Sequence, residues 1–249
     1  MTWFMPNEPE VRAAIKAHFE AEWPREACGA ITPDGYRPLR NRHPDPVHFF
    51  DCADEAAPLQ IAGSLLALVH SHTRGDPAPT EADMRQQIAT GVPWGIAAVT
   101  GQGAEAPFFW GDTVWQDTPR PAYVGRPFRH GPTGTDGAGD CYALCRDWYL
   151  QELGIALPEW PRNENWWHDG ANHYLDNFRQ LGFRELGLGE PPRRGDGALF
   201  KLAADVPEHA AIFVGNEQLL HHLSHRLSSH APIGVWRKHI VKWIRHEAG

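Results

Sequence analysis

A short apolar run, Leu65 to Val69, ends in His70-Ser71-His72, and after seven further residues comes Thr80-Glu81-Ala82-Asp83. This stretch restricts the fold more than any other part of the chain. Residues i and i+2 of a strand share a face, so a buried strand here delivers both imidazoles to one side of its C-terminal end. Arg74 to Pro79 forms a rigid loop, and Thr80 opens a helix through about Thr90 that carries Asp83 at its third interior position. The carboxylate thereby returns to the two histidines. Imidazole and carboxylate suit Zn²⁺, and three protein ligands leave a fourth position for a water that the metal can acidify. A histidine pair alone is an ordinary strand-edge feature; the third ligand at this spacing points to a metal. Such a water also needs a base. Glu26, just ahead of a short strand starting near Cys28, is the acidic residue placed by chain order to line the same end of the sheet.

The surrounding pattern is strand-rich. Val11, Ala14, Ile15, His18 and Phe19 recur at helical spacing between Glu8 and Trp23, with Asn7 as the expected cap and Pro24 as the stop. Cys28 to Ile31 and Tyr36 to Arg40 pair across the Pro33-Asp34-Gly35 turn, and Val47 to Phe50 extends that sheet. Ile96 to Val99 and Pro107 to Trp110 add two strands. Gly111 to Arg129, with Pro119, Pro121 and Pro127, has no periodicity and reads as a linker.

Beyond it, Gly131 to Gly139 holds four glycines and leads into Asp140-Cys141. Tyr142, Cys145, Trp148, Tyr149 and Leu153 then recur at helical spacing up to Gly154, which puts Cys141 at a helix N-terminus, where backbone dipoles favour a thiolate. A bare cysteine is ordinarily a small buried hydrophobe, and Cys145, one turn on, reads as core packing. Cys141 is singled out by a later segment. His209 begins a strand, and the strand returning across Gly215 ends at His221, so one imidazole serves as base and the other orients it. His222, His225 and His230 compete for the same roles. A helix over Asn172 to Leu181 and strands at Gly197–Phe200, Ala210–Val214, Gln218–Leu220 and Ile233–Arg237 complete an α+β pattern.

At 249 residues the chain has room for two domains, expected at 1–118 and 119–249. Residues 1–120 carry 16 acidic and 9 basic side chains and the remainder 15 and 14, so neither half has the basic footprint of a sequence-specific nucleic-acid binder. Four cysteines without a CxxC pair point to folding in a reducing cell. Met1 to Glu10 lacks the basic and then apolar run of a signal peptide, and no segment reaches the ~20 apolar residues of a membrane span. A soluble protein is expected.

Glu26-Ala27-Cys28-Gly29, His70-Ser71-His72 and Thr80-x-x-Asp83 together resemble the JAMM metalloprotease signature across about residues 8–115. The resemblance implies a JAMM/MPN-like mixed-sheet αβα fold with zinc on His70, His72 and Asp83, and amide or isopeptide hydrolysis as its chemistry. Glu26 would be the general base, and Thr80 would stand for the family's serine near the polarised carbonyl oxygen. Thr73 replaces the family's proline after the second histidine. Residues 125–240 resemble the NlpC-type papain-like cysteine peptidases, through Asp140-Cys141, His209 to Gly215, and His221 twelve positions later. Tyr142-Ala143 replaces the usual Ser-Gly. This second resemblance implies a papain-like α+β fold cleaving peptidoglycan stem peptides through a Cys141 thioester. His130 lies near the cleft without an assigned role.

The fusion of the two halves, with Gly125-Arg126-Pro127-Phe128-x-His130-Gly131 ahead of Asp140-Cys141-Tyr142, resembles a tail-assembly family of lambda-like phages. Tail hub and tail-tip proteins are then the expected partners. Assembly is expected in the host cytoplasm, residence at the virion tail tip, and action in the periplasm or wall. The zinc half would process a tail protein, trim wall or only bind metal. The rival reading is a structural tail-tip component with one or both sites inactive, in which Trp160, Trp166 and Trp167 serve as interface anchors.

Overall fold

The computed structural model describes residues 8–116 and 118–249. Asn7, the expected first cap, lies outside the described residues. The chain divides into two compact units, Met1–Pro119 with Gly134–Asp136, and Arg120–Thr133 with Gly137–Gly249.

In the first unit, helix α1 (Pro9–Glu22) precedes strands β1 (Cys28–Thr32) and β2 (Gly35–Leu39). Helix α2 (Ala53–Ile61), strand β3 (Ala67–His72), helix α3 (Glu81–Thr90) and strands β4 (Trp94–Thr100), β5 (Gly103–Ala104) and β6 (Phe108–Trp110) follow. The sheet runs β2-β1-β3-β4-β5, with β6 also paired to β4. Among the described residues of this sheet only β3 and β4 run parallel, and α3 makes the crossover that a parallel pair requires. Strand alternation sorts the core into two layers. Val11, Ile15 and Phe19 of α1 pack on Ala27, Ile31, Ala67, Val69, Ala97 and Val99. Ala56 of α2 packs with Ala30, Leu68, Trp94 and Ile96 on the opposite face. His70 and His72 share the parity of Leu68 and therefore stand on the α2 face. Gly29 is needed for space, because a Cβ there would sit 2.3 Å from the Tyr36 ring.

Two readings of this half change. Val47 to Phe50 is loop rather than strand, since Pro44 and Pro46 remove ladder donors and fix the backbone. Helix α2 went unread because Pro58 lies inside it.

The second unit has helix α4 (Cys141–Leu153), helix α5 (His173–Asn177), and strands β7 (Phe183–Glu185), β8 (Gly197–Phe200), β9 (His209–Gly215), β10 (Gln218–His221) and β11 (Ser229–Pro232). A helical turn α6 (Ile233–Trp236) and strand β12 (Ile240–His246) complete it. The antiparallel sheet is ordered β11-β10-β9-β8-β12-β7. One face, through Leu199, Ala210, Ile212, Leu220 and Ile244, packs on Leu144, Cys145, Trp148 and Tyr149 of α4. The other carries Phe200, Phe213, Leu219 and Ile233, with Trp236 and Trp243 against them. Both units are thus mixed α/β, and the chain is a two-domain α+β protein.

Here too the sequence reading needs amendment. Ile233–Trp236 is helical, and the last strand begins only at Ile240. The helix expected over Asn172–Leu181 is the five-residue α5. The end of the expected linker is built into this unit: Arg126, 3% exposed, donates to Asp147 Oδ2 at 2.5 Å and to the Ala122 and Pro121 carbonyls. Among the described residues no helix is long and apolar enough to cross a membrane.

Candidate active sites

His70 and His72 occupy the last turns of pleat in β3, and Asp83 is the third residue of α3. Thr80 caps that helix by accepting from Asp83 N at 3.2 Å, while Asp83 Oδ2 accepts from Thr80 N at 2.8 Å and from Thr80 Oγ1 at 2.7 Å. This reciprocal cap aims the carboxylate at the strand end. His70 Nε2 lies 3.3 Å from Asp83 Oδ1, His72 Nε2 lies 3.5 Å from Asp83 Oδ2, and the two nitrogens are 3.1 Å apart. One ligand atom from each residue falls within 4.8 Å of the others. Three acceptors converging in a buried place repel one another unless a cation or a proton lies among them. Burial opposes protonation of His70, whose pKa falls despite Asp83. At His72 burial also opposes it, but the hydrogen bond and charge of Asp83 prevail and raise the pKa. Asp83, against its own burial, is held far below the usual carboxylate range by the two imidazoles. His72 Nδ1 lies 2.9 Å from the Asp76 carbonyl, which leaves Nε2 as the lone-pair donor; the His70 ring stacks on Phe50 at 4.2 Å. Donor set and tautomer fit a zinc ion.

Glu26 is 8% exposed, and burial, partly offset by His72, pushes its carboxyl up to about 7. It interacts electrostatically with both His72 and Asp83. Two residues given no role by the sequence hold its backbone there. Ser71 Oγ accepts from Ala27 N at 2.8 Å, and Asn41 Nδ2 donates to the Glu26 carbonyl at 2.8 Å and to the Phe49 carbonyl at 2.9 Å. Ser71 lay in the motif itself; Asn41 sits in an aperiodic loop that gave no signal. Thr73 Oγ1 donates to the Val47 carbonyl at 2.8 Å, tying that loop to the end of β3. The Thr80 hydroxyl spends its proton on Asp83.

In the second unit Cys141 is the first residue of α4 and is half-buried. Its cap, Asp140, accepts from Ala143 N at 2.9 Å and Gly131 N at 3.0 Å, and pairs with Arg162 Nη2 at 2.6 Å. Arg162 also reaches Glu159 at 2.6 Å, and His130 Nε2 lies 3.0 Å from the Arg162 carbonyl. Asp140 is held below the usual range by Arg162, against its burial.

The helix start does not lower the Cys141 pKa as the sequence suggested. Burial and the adjacent Asp140 carboxylate push it up to about 11, against the Tyr174 hydroxyl, the Ala210 N–H and Arg162. An acidic cap offsets the positive end of the helix. Ala210, whose backbone acts on the thiol, follows His209 on β9. The rings of His209 and His221 are 5.6 Å apart, and His209 Nε2 is buried without a partner. Burial, with the neighbouring histidines, pushes His209 down to about 3 and His221 to about 4. His222 alternates to the other face, edge-on to Phe128 at 5.3 Å, while His225 and His230 are exposed. Thus the structure brings the rings of His209 and His221 together, keeps His222 within electrostatic reach of both, and leaves His225 and His230 exposed. Cys145 is buried in the core, as expected. The tryptophans are not exposed anchors. Trp166 is buried in the core, Trp160 stacks on Tyr142 at 4.6 Å, and Trp167 packs against the same cluster.

Residues 8–111 match the prokaryotic homologs of the JAB domain, and residues 125–245 match the NlpC/P60 family. Among solved structures, NlpC1 from Trichomonas vaginalis is 18% identical and covers 49% of this chain and 39% of its own, with a TM-score of 0.37. An NLP/P60-family protein of Staphylococcus aureus is 19% identical and covers 49% and 37%, with a TM-score of 0.36. Tail tip assembly protein K of Escherichia phage N15 is 33% identical over 246 residues, 94% of this chain and 93% of that protein. The protein of the same name from Escherichia phage lambda is 35% identical over 190 residues, 76% of this chain and 85% of its own. With such identity over most of its length, and a JAB-like unit followed by an NlpC/P60 unit, the chain belongs to the tail tip assembly protein K family of lambda-like phages.

Proposed function

We propose that this chain is a phage tail-tip peptidase that hydrolyses peptidoglycan stem peptides at Cys141, with a second, zinc-dependent amide or isopeptide hydrolase site in its first unit. The observation that carries this is a half-buried thiol at the start of α4, a helix packed on the sheet in which His209 of β9 meets His221 of β10, inside a match to the NlpC/P60 family.

With Cys141 pushed up to about 11 and His209 down to about 3, both groups are uncharged at neutral pH. The thiol proton passes to His209 as sulfur bonds to the peptide carbonyl carbon. His209 returns that proton to the leaving amine as the C–N bond breaks and a thioester remains. Water, deprotonated by His209, then attacks the thioester and frees the thiol. His221 orients His209, and the Asp140–Arg162 pair fixes the helix start. In the first unit His70, His72 and Asp83 would hold zinc, which when bound supplies Lewis acidity and acidifies water. Glu26, near neutrality, accepts a proton and delivers it to the leaving nitrogen. For Thr80 to support a substrate carbonyl oxygen, its hydroxyl must turn from Asp83.

The proposed setting is the phage tail tip, with hub and tail-tip proteins as partners, assembly in the host cytoplasm and action in the periplasm or wall; the relatives' name, tail tip assembly protein K, supports the tail-tip part of this reading. A structural part with inert sites is the second reading, and the uncharged thiol and imidazole favour it. The test is muropeptide cleavage read by mass spectrometry for the full-length protein and its Cys141→Ala and His70→Ala variants. Cleavage lost only in Cys141→Ala, which keeps about one zinc per chain, is expected. Undiminished cleavage by Cys141→Ala would overturn the thiol assignment.

A further inference from the structure

Cys141 has a neighbour for which the scheme above gives no task. The phenolic oxygen of Tyr174, on α5, lies 3.4 Å from Cys141 Sγ. Tyr174 is 9% exposed and fixed by edge contacts to Tyr142 at 6.4 Å and Trp166 at 6.0 Å, so the position of the phenol is set by packing. Burial first, and the adjacent thiols second, hold its pKa well above the ordinary value, and it keeps its proton throughout the working range. A thiolate has no proton to give, so a protonated phenol facing it can only donate. The Ala210 backbone also favours the ionised sulfur, as a donor does. Hydrogen bonds to an ionised acceptor are roughly twice as strong as neutral ones, so both contacts strengthen when the thiol loses its proton. Interactions that gain strength along the reaction coordinate accelerate the chemical step.

We infer that Tyr174 is a further catalytic residue: its hydroxyl donates to the Cys141 sulfur as the thiolate develops and, with the Ala210 N–H, holds that sulfur until it bonds to the substrate carbonyl. This rests on the reading of Cys141 as the nucleophile. The need for such a donor is local. Asp140 precedes the sulfur in the chain and opposes a negative charge there, and Arg162 is already engaged by Asp140 and Glu159. Cys145 on the same helix is neutral, and His209, His221 and His222 on the sheet side are held towards their uncharged forms. Only the hydroxyl is removed when Tyr174 becomes phenylalanine; every other charged or titratable group around the sulfur stays.

The experiment is the pH dependence of Cys141 alkylation by iodoacetamide in the full-length protein, read by intact mass spectrometry, with Cys141→Ala as the blank for the three buried thiols. Tyr174→Phe is expected to move the midpoint upward by about one pH unit, which slows alkylation at pH 8 roughly tenfold. Because the ring is kept, near-ultraviolet circular dichroism should match the parent. As a second variant, 3-fluorotyrosine at position 174 is a stronger donor of nearly equal size and should move the midpoint downward. On stem peptide, Tyr174→Phe should lower kcat far more than it changes KM. An unchanged alkylation midpoint in both variants would overturn the inference whether or not the chain cleaves wall. Shifted midpoints in a chain that cleaves no muropeptide would uphold the donor contact and overturn the peptidase reading.

Discussion

Ser71 shows how much of each site depends on single atoms beside the reactive ones. Its hydroxyl takes the Ala27 N–H from a fully buried position one residue after Glu26. Ser71→Ala should cost about 1–3 kcal/mol by leaving that donor unpaired, and urea unfolding of the purified variant measures it. Arg162 is the counterpart in the second unit. Replacing it with methionine strands Asp140 and Glu159 in a dry place, for an expected loss of about 3–5 kcal/mol. A melting temperature equal to the parent's would show that the pair contributes little. The ligating and nucleophilic residues were legible because their spacing is dictated by strand parity and helix starts. Asn41, Arg162 and Tyr174 were not, because they reach their partners across loops whose paths no periodicity encodes.

Among elements, the start of α3 links folding to metal binding. Thr80 both closes the helix end and accounts for two of the hydrogen bonds on Asp83 Oδ2. Thr80→Ala should cost about 0.5–2 kcal/mol as a lost cap and weaken zinc by roughly 10–100-fold as a lost support for a ligand. Thr80→Ser should restore both; titration with a competing chelator gives the affinities. Strands β1, β3, β4 and β9 were readable because they are short apolar runs, buried on both faces and bounded by glycine and proline. Helix α2 was hidden by Pro58, and α6 by an apolar stretch, Ile233 to Trp236, too short for helix and strand periods to differ.

At the scale of the whole molecule, acid acts on the second unit through its buried histidines. His209 and His221 are lowered from 6.5 to about 3 and about 4, so between those values and 6.5 the unfolded chain binds more protons than the folded one. Stability therefore rises with pH, is fully present above about 6.5, and is lost as pH falls toward the folded values. Each unit of difference corresponds to about 1.4 kcal/mol, so the pair withdraws several kcal/mol; Asp140, held below its ordinary 3.8, adds to the loss only at still lower pH. Urea midpoints of the second unit's transition should hold from pH 7.5 to about 6.5 and fall from there to pH 4.5; a flat profile over the whole range would contradict the burial of these rings.

The central claim is that wall cleavage belongs to the thiol and not to the zinc cluster. Its most direct test is muropeptide cleavage by the full-length protein after either iodoacetamide alkylation or exhaustive chelation. The expected result is cleavage abolished by alkylation and preserved by chelation. Cleavage that survives alkylation and disappears with the metal would contradict it.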